Sequence, residues 1–247
     1  MRRLEVVFGD DLDFLAEIDD VEWLHVNNLG LRQCDGIQQL RRVHTLELGA
    51  YCTSRLDFAA LPALRRLYTE RVPGWETAAH CVALEHFHMQ RYPETDLARL
   101  ASLTNLRSLR LGDSRTLRSL DGIESMQRLE RLSLGALAVR DISALRPLSS
   151  TLTHLEIDGC RGITEIGPIG ALVNLRSLAV TDCGDIDSLT PIRSLVKLDA
   201  VWLWGSTRIR DGDLSVLKEL PLLTQTSFMD RRGYSHTLAE VEAALRR

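Results

Sequence analysis

The 247-residue chain is 45% hydrophobic and 26% charged, the balance of a folded chain rather than a disordered or collagenous one. Its formal net charge of −4 gives no basic excess for gripping phosphates, so no nucleic acid is expected as partner, and no acidic tail that would point to a cationic one. No run of 18 apolar residues occurs that would span a membrane, and the two arginines and broken apolar stretch of residues 1–11 form no signal-peptide core, so a cytoplasmic chain is expected.

The five cysteines, Cys34, Cys52, Cys81, Cys160 and Cys183, are odd in number and lack C-x-x-C spacing. Reduced thiols fit this better than a disulfide frame or a zinc site. Leucine supplies 44 residues while aromatics make up only 5%, and so uniform an aliphatic filler suggests a repeated packing unit.

Taken in chain order, an L-x-x-L-x-L frame opens faintly at Met1, Leu4 and Val6, and residues 13–18 suit a first helical turn. The frame returns with conservative swaps from Val21, Val43, Leu64 and Leu84, at offsets of 22, 21 and 20 residues. Two irregular returns, around Pro73, Gly74 and Trp75 and around Tyr92, Pro93 and Glu94, interrupt this half. The frames starting at Leu106, Leu129, Leu152, Leu175 and Leu198 are spaced 23 apart, and a faint last copy runs through Leu223, Thr226 and Phe228. That makes eleven candidate turns. Behind the strands, Ile163, Ile166, Ile169 and Leu172, then Ile186, Leu189, Ile192 and Leu195, are apolar at every third residue, which predicts 3₁₀-like or extended returns rather than full α-helices. Finally, Thr237 and Glu240 spell a capping box, and Leu238, Val241 and Leu245 share one face of a short helix through Arg247. Tyr234, Ser235 and Thr237 are read as tying this cap down rather than as a binding loop.

The positions Leu152, Leu155, Ile157, Cys160 and Leu175, Leu178, Val180, Cys183 meet the pattern L-x-x-L-x-L-x-x-(N or C), and the chain resembles leucine-rich repeat proteins, in particular the short bacterial, internalin-type repeats of 22–23 residues. The resemblance implies an α/β solenoid of about eleven turns, with a parallel β-sheet on the concave face, short 3₁₀ or irregular returns on the convex face and a C-terminal capping helix. A single domain over residues 1–247 is expected: cap and first strand in 1–20, repeats in 21–230, C-terminal cap in 231–247. One repeat cannot bury its leucines alone, so stability is cumulative over stacked neighbours. With parallel strands about 4.8 Å apart, eleven turns span roughly 50 Å, a broad arc expected to hold no ready-made deep pocket. Cys160 and Cys183, with Ser114 and Ser206, occupy the asparagine-or-cysteine column as turn fillers. Leu29, Tyr51, Val72, Tyr92 and Leu137 depart from that pattern.

Within each frame the second and third apolar residues point inward, so those before, between and after them point outward. The outward set carries four arginines and five carboxylates. It concentrates aromatic and imidazole groups in two places: Trp23, His25, Tyr68, His86 and His88 in the first half, and Trp202 and Trp204, followed by Met229, near the end. With Arg110 and Arg131, these are the candidate partner-binding residues, because Trp, Tyr and Arg desolvate large areas at little rotamer cost. Two plainer readings stand beside this one: scattered neutral exposure of the first group, and a C-terminal cap folded over the two tryptophans. His86 and His88, roughly 6.6 Å apart along one strand, would chelate a metal only with a third ligand such as Glu70. No P-loop, H-E-x-x-H or G-x-S-x-G motif occurs. The expectation is a monomeric, non-catalytic scaffold or adaptor for a folded protein partner, without cofactor or metal. The alternatives are an immunity-like cytoplasmic neutraliser of one enzyme or toxin and, further off, a metal-dependent enzyme built on His86 and His88.

Overall fold

The computed structural model describes residues 2–7, 11–18, 20–27, 31–49 and 52–246. Met1, Leu29, Tyr51 and Arg247, assigned above to the first frame, the turn column and the final helix, lie outside the described residues. Each L-x-x-L-x-L frame forms one short strand: β1 (Arg2–Val6), β2 (Val21–Val26), β3 (Thr45–Leu48), β4 (Arg66–Thr69), β5 (His86–Gln90), β6 (Ser108–Gly112), β7 (Arg131–Gly135), β8 (His154–Asp158), β9 (Ser177–Thr181), β10 (Ala200–Leu203) and β11 (Gln225–Phe228). They make one 11-stranded sheet in sequence order, every pairing parallel. The register is set by the leucines: Leu109, Leu132, Leu155 and Leu178 face one another across four rungs and all are buried. A slip of one residue would turn such a column out to solvent, so burial of one face enforces the alignment.

The convex side is built from 3₁₀ segments, beginning with Asp13–Glu17 and ending with Gly167–Ala171 and Thr190–Ser194. Three residues per turn keep i and i+3 on one side, which is why Ile163, Ile166, Ile169 and Leu172 are all buried. In the last return a single α-turn, α1 (Val216–Glu219), takes the place of the 3₁₀ segment.

After six successive strands the chain leaves through a left-handed residue, at Arg91, Asp113, Ala136, Gly159, Asp182 and Gly205, with φ between 50° and 65°. The N–H groups of Arg91, Asp113, Ala136 and Gly159 reach the carbonyls of Gly112, Gly135, Asp158 and Thr181 at 2.7–2.9 Å, extending the ladder beyond the strands. The hydrogen-bonded stack holds even the side chain of Ala136 in a conformation that costs a non-glycine residue about 1 kcal/mol.

The turn column follows. Cys160 and Cys183 are buried, and their thiols donate to the Leu134 and Ile157 carbonyls of the preceding rung at 3.5 and 3.4 Å. The Ser114 hydroxyl donates to the Tyr92 carbonyl at 2.5 Å. Ser206 is a correction: it is exposed, and Thr207 is the buried residue, whose hydroxyl accepts the Cys183 N–H at 3.1 Å. Ala200 pairs with Gln225 at a spacing of 25, against 23 for Ser177 and Ala200, and Ser206 is one of the added residues. Val72, Tyr92 and Leu137 fill the column with apolar bulk. Tyr92 packs edge-on against Trp75, 5.2 Å between ring centroids. Trp75 enters after Gly74, whose φ of 84° and distance of 1.9 Å from a notional Cβ to the Leu56 carbonyl oxygen admit only glycine.

The core is continuous from Val6 to Val241. At its C-terminal end α2 (Leu238–Leu245) starts in a complete capping box between Thr237 and Glu240. Val241 is buried and Leu238 and Leu245 pack against the core. Tyr234 accepts the Ile209 N–H at its hydroxyl, 2.9 Å, and Ser235 accepts that of Leu214 at 2.9 Å, so this segment ties the cap to the last return. Among the described residues no helix is long and apolar enough to cross a membrane.

Candidate functional site: a hollow on the sheet face

Because the strands are in register, the outward residues form straight columns. One runs Arg66, His86, Ser108, Arg131, His154, Ser177; the next runs Tyr68, His88, Arg110, Ser133, Glu156, Ala179, Trp202. The outward side chains leave open a hollow of about 480 Å³, lined by Tyr68, His86 and His88 on β4 and β5 at one end and by Trp202 on β10 at the other. Ser108, Ser133, Ser177 and Ala179 form its floor, with Arg110, Arg131, His154 and Glu156 among them. The broad arc expected from the repeat pattern carries an open hollow in this stretch. Tyr68 and Trp202 lie six strands apart in one column, about 29 Å along the sheet, so the hollow is a trough.

Its charges are arranged unevenly. Arg110 donates to Ser133 at 3.1 Å and to Glu156 at 2.9 Å, and Ser133 donates to the same carboxylate oxygen at 2.7 Å. These bonds hold the Glu156 carboxyl below its ordinary pKa against the opposing effect of burial. Arg131 and Arg66 have no side-chain partner among the described residues. The nearby carboxylates Glu85 and Glu130 are taken up by Arg65 and Arg107. Burial lowers the pKa of His86, His88 and His154, with Arg66 and Arg131 adding to the effect at His86, Arg110 at His88 and Arg131 at His154. Hydrogen bonding agrees: the Gln90 amide lies 3.0 Å from His88 Nε2 and can donate to it only if that nitrogen is unprotonated. Thr153 donates its hydroxyl proton to the Glu130 carbonyl, so His154 Nδ1, 2.8 Å away, is the donor to that oxygen. Three imidazoles with lowered pKa values and the Arg131 guanidinium, without a side-chain partner among the described residues, thus line one space.

The remaining sequence candidates lie elsewhere. Trp23 and His25 are in contact with each other at 5.7 Å, outside the hollow. Trp23 donates to Glu47 at 3.1 Å and Arg3 covers its ring at 5.6 Å, while His25 lies 3.6 Å from Glu5. Trp202 and Trp204 separate: Trp202 is half-buried and lines the hollow, whereas Trp204, just past the end of β10, is outside it at 47% exposure. A smaller cavity of about 360 Å³ is lined by Trp202 together with Glu242, Leu245 and Arg246 at α2. Glu70, the third ligand invoked for a metal, is ion-paired with Arg91, and among the described residues no group of three or more His, Cys, Asp or Glu side chains is placed to hold a metal ion. His154 and Glu156 were not singled out from the sequence. The signal that finds them is the column itself, since they are the β8 counterparts of Arg131 and Ser133.

Internalin C2 of Listeria monocytogenes is similar to this chain at 25% identity and a TM-score of 0.64, over 76% of this chain and 82% of that one. The chain has the leucine-rich repeat fold. Another solved leucine-rich repeat protein, from Leptospira interrogans, aligns at 16% identity and a TM-score of 0.62 over 96% of this chain and 74% of its own length. TLR13, solved in a complex with ssRNA13, aligns at 20% identity and a TM-score of 0.65 over 90% of this chain and 34% of that one. No family model and no curated protein sequence matches the chain. Within this leucine-rich repeat fold the hollow lies on β4 to β10, towards the regular repeats.

Proposed function

We propose that this chain is a non-catalytic scaffold that holds a folded protein partner against the concave sheet, with the trough between Tyr68 and Trp202 as the seat. The observation that carries the reading is the trough itself: aromatic walls about 29 Å apart, a floor of serine and alanine, and polar groups that converge on a space the chain does not fill. Large amphipathic rings at the edge of a concave surface supply binding energy with few rotamers lost. The domain acts as a monomer in the cytoplasm in this account, and its role as adaptor or as neutraliser of one enzyme is a property of the partner.

The test is affinity capture from the native cell with the wild-type chain, Tyr68→Arg, Trp202→Ala and a convex-face control, Val173→Asp. A partner retained by wild type and control but lost from both trough variants supports the reading. A partner retained equally by all four places recognition elsewhere.

A further inference from the structure

We infer that the trough, on the partner-binding reading just given, is anchored by a carboxylate side chain of the partner seated on Arg131. The argument is one of charge complementarity. Of the charged groups in the trough, Arg110 and Glu156 satisfy each other through a 2.9 Å ion pair. Glu85 and Glu130 are engaged by Arg65 and Arg107. Arg131 is left among Ser108 and His154 in its own column, with no counter-ion among the described residues, and Arg66 lies in that column beside His86. An exposed arginine with no counter-ion among the described residues gains from a carboxylate, which its planar fork meets with two parallel hydrogen bonds.

The neighbours favour the same occupant. Ser108 and Ser177 offer hydroxyls. Tyr68 and Trp202 flank the site with ring faces suited to the apolar residues beside an acidic one. An extended segment of about nine residues covers the 29 Å between these walls, which suits a loop or tail of a protein. A nucleic-acid strand fits less well, because Glu156 and the acidic groups Glu70, Asp158 and Glu47 lie along the same face and interrupt any continuous track of positive charge.

A random twelve-residue peptide display library, selected on the wild-type chain and counter-selected on Trp202→Ala, tests the inference. Sequences enriched in Asp and Glu next to an aromatic residue are expected, with synthetic copies binding at least ten-fold more weakly to Arg131→Gln, and equally weakly when their acids are replaced by the corresponding amides. Trp202-dependent sequences with no acidic bias and no response to Arg131→Gln would overturn the carboxylate anchor while leaving the trough as the binding seat. If no Trp202-dependent sequence emerges, both fail. A fourth arm measures a twelve-nucleotide oligouridylate: salt-sensitive binding that Arg131→Gln abolishes, without acidic peptides in the selection, would overturn the inference in favour of nucleic acid.

Discussion

The sheet carries two groups of outward-facing, half-buried aromatics that look alike in the sequence and differ in what surrounds them. Around Trp23, the indole N–H is bonded to Glu47, Arg3 covers the ring and Glu5 lies beside His25. That group spends its polar capacity on itself. Around the trough, Tyr68 and His88 meet edge to face at 6.0 Å, Trp202 stands six strands away, and Arg131 between them has no partner among the described residues. Exposure alone does not mark a binding surface. What distinguishes the second group is unused capacity: apolar walls that still face water, and a charge without a counter-ion.

Substitutions can break this contrast or sharpen it. The largest expected effect is on partner affinity: Trp202→Ala should cost about 2 kcal/mol, roughly 30-fold in Kd, with the thermal midpoint shifted by no more than about 3 °C, because the ring is only half-buried. Trp23→Ala should do the reverse, leaving affinity within two-fold while lowering unfolding stability by about 1 kcal/mol through its lost hydrogen bond and ring contact with Arg3. Calorimetric titration and denaturant unfolding of the two variants read both quantities, and equal affinity losses would erase the distinction.

A smaller effect concerns pH. His86, His88 and His154 have folded-state pKa values below the unfolded 6.5, so as pH falls through that value the unfolded chain takes up protons first. Stability present above pH 6.5 is therefore lost progressively between about pH 7 and the lower folded-state values. Replacing all three by glutamine should flatten unfolding stability between pH 7.5 and 5.5, whereas an unchanged slope would show that these imidazoles titrate normally. Smallest is Ala136→Gly, which relieves a left-handed alanine with φ of 51°. It should raise stability by about 0.5 kcal/mol by denaturant unfolding, the glycine's own entropy offsetting part of the gain, and leave trough affinity unchanged.

Much of the fold was legible because it rests on a period. The leucine spacing gave the strands, the every-third isoleucines gave the 3₁₀ returns, and Thr237 with Glu240 gave the start of the last helix. Ser206 was misplaced because a pattern counted at 23 residues does not reveal where a longer repeat absorbs its extra residues. The trough was hidden for a different reason. Trp, Tyr, His and Arg stand out in a sequence, whereas Ser108, Ser133, Ser177 and Ala179, which also line the hollow, carry no mark of a site until the register aligns them. The state of each charge was hidden too. That Glu70 is held by Arg91 and Glu156 by Arg110 depends on neighbours 21 to 46 positions away in the chain, which only the stacked register brings together.

The most direct measurement of the central claim is hydroxyl-radical footprinting of the chain with and without its captured partner. Stacked columns that leave an open seat predict that Tyr68 and Trp202 become protected together, while Trp23 and Trp204 keep the reactivity they have in the free chain. Protection confined to Trp23 and Trp204, or to the 3₁₀ returns on the opposite side, would contradict the account.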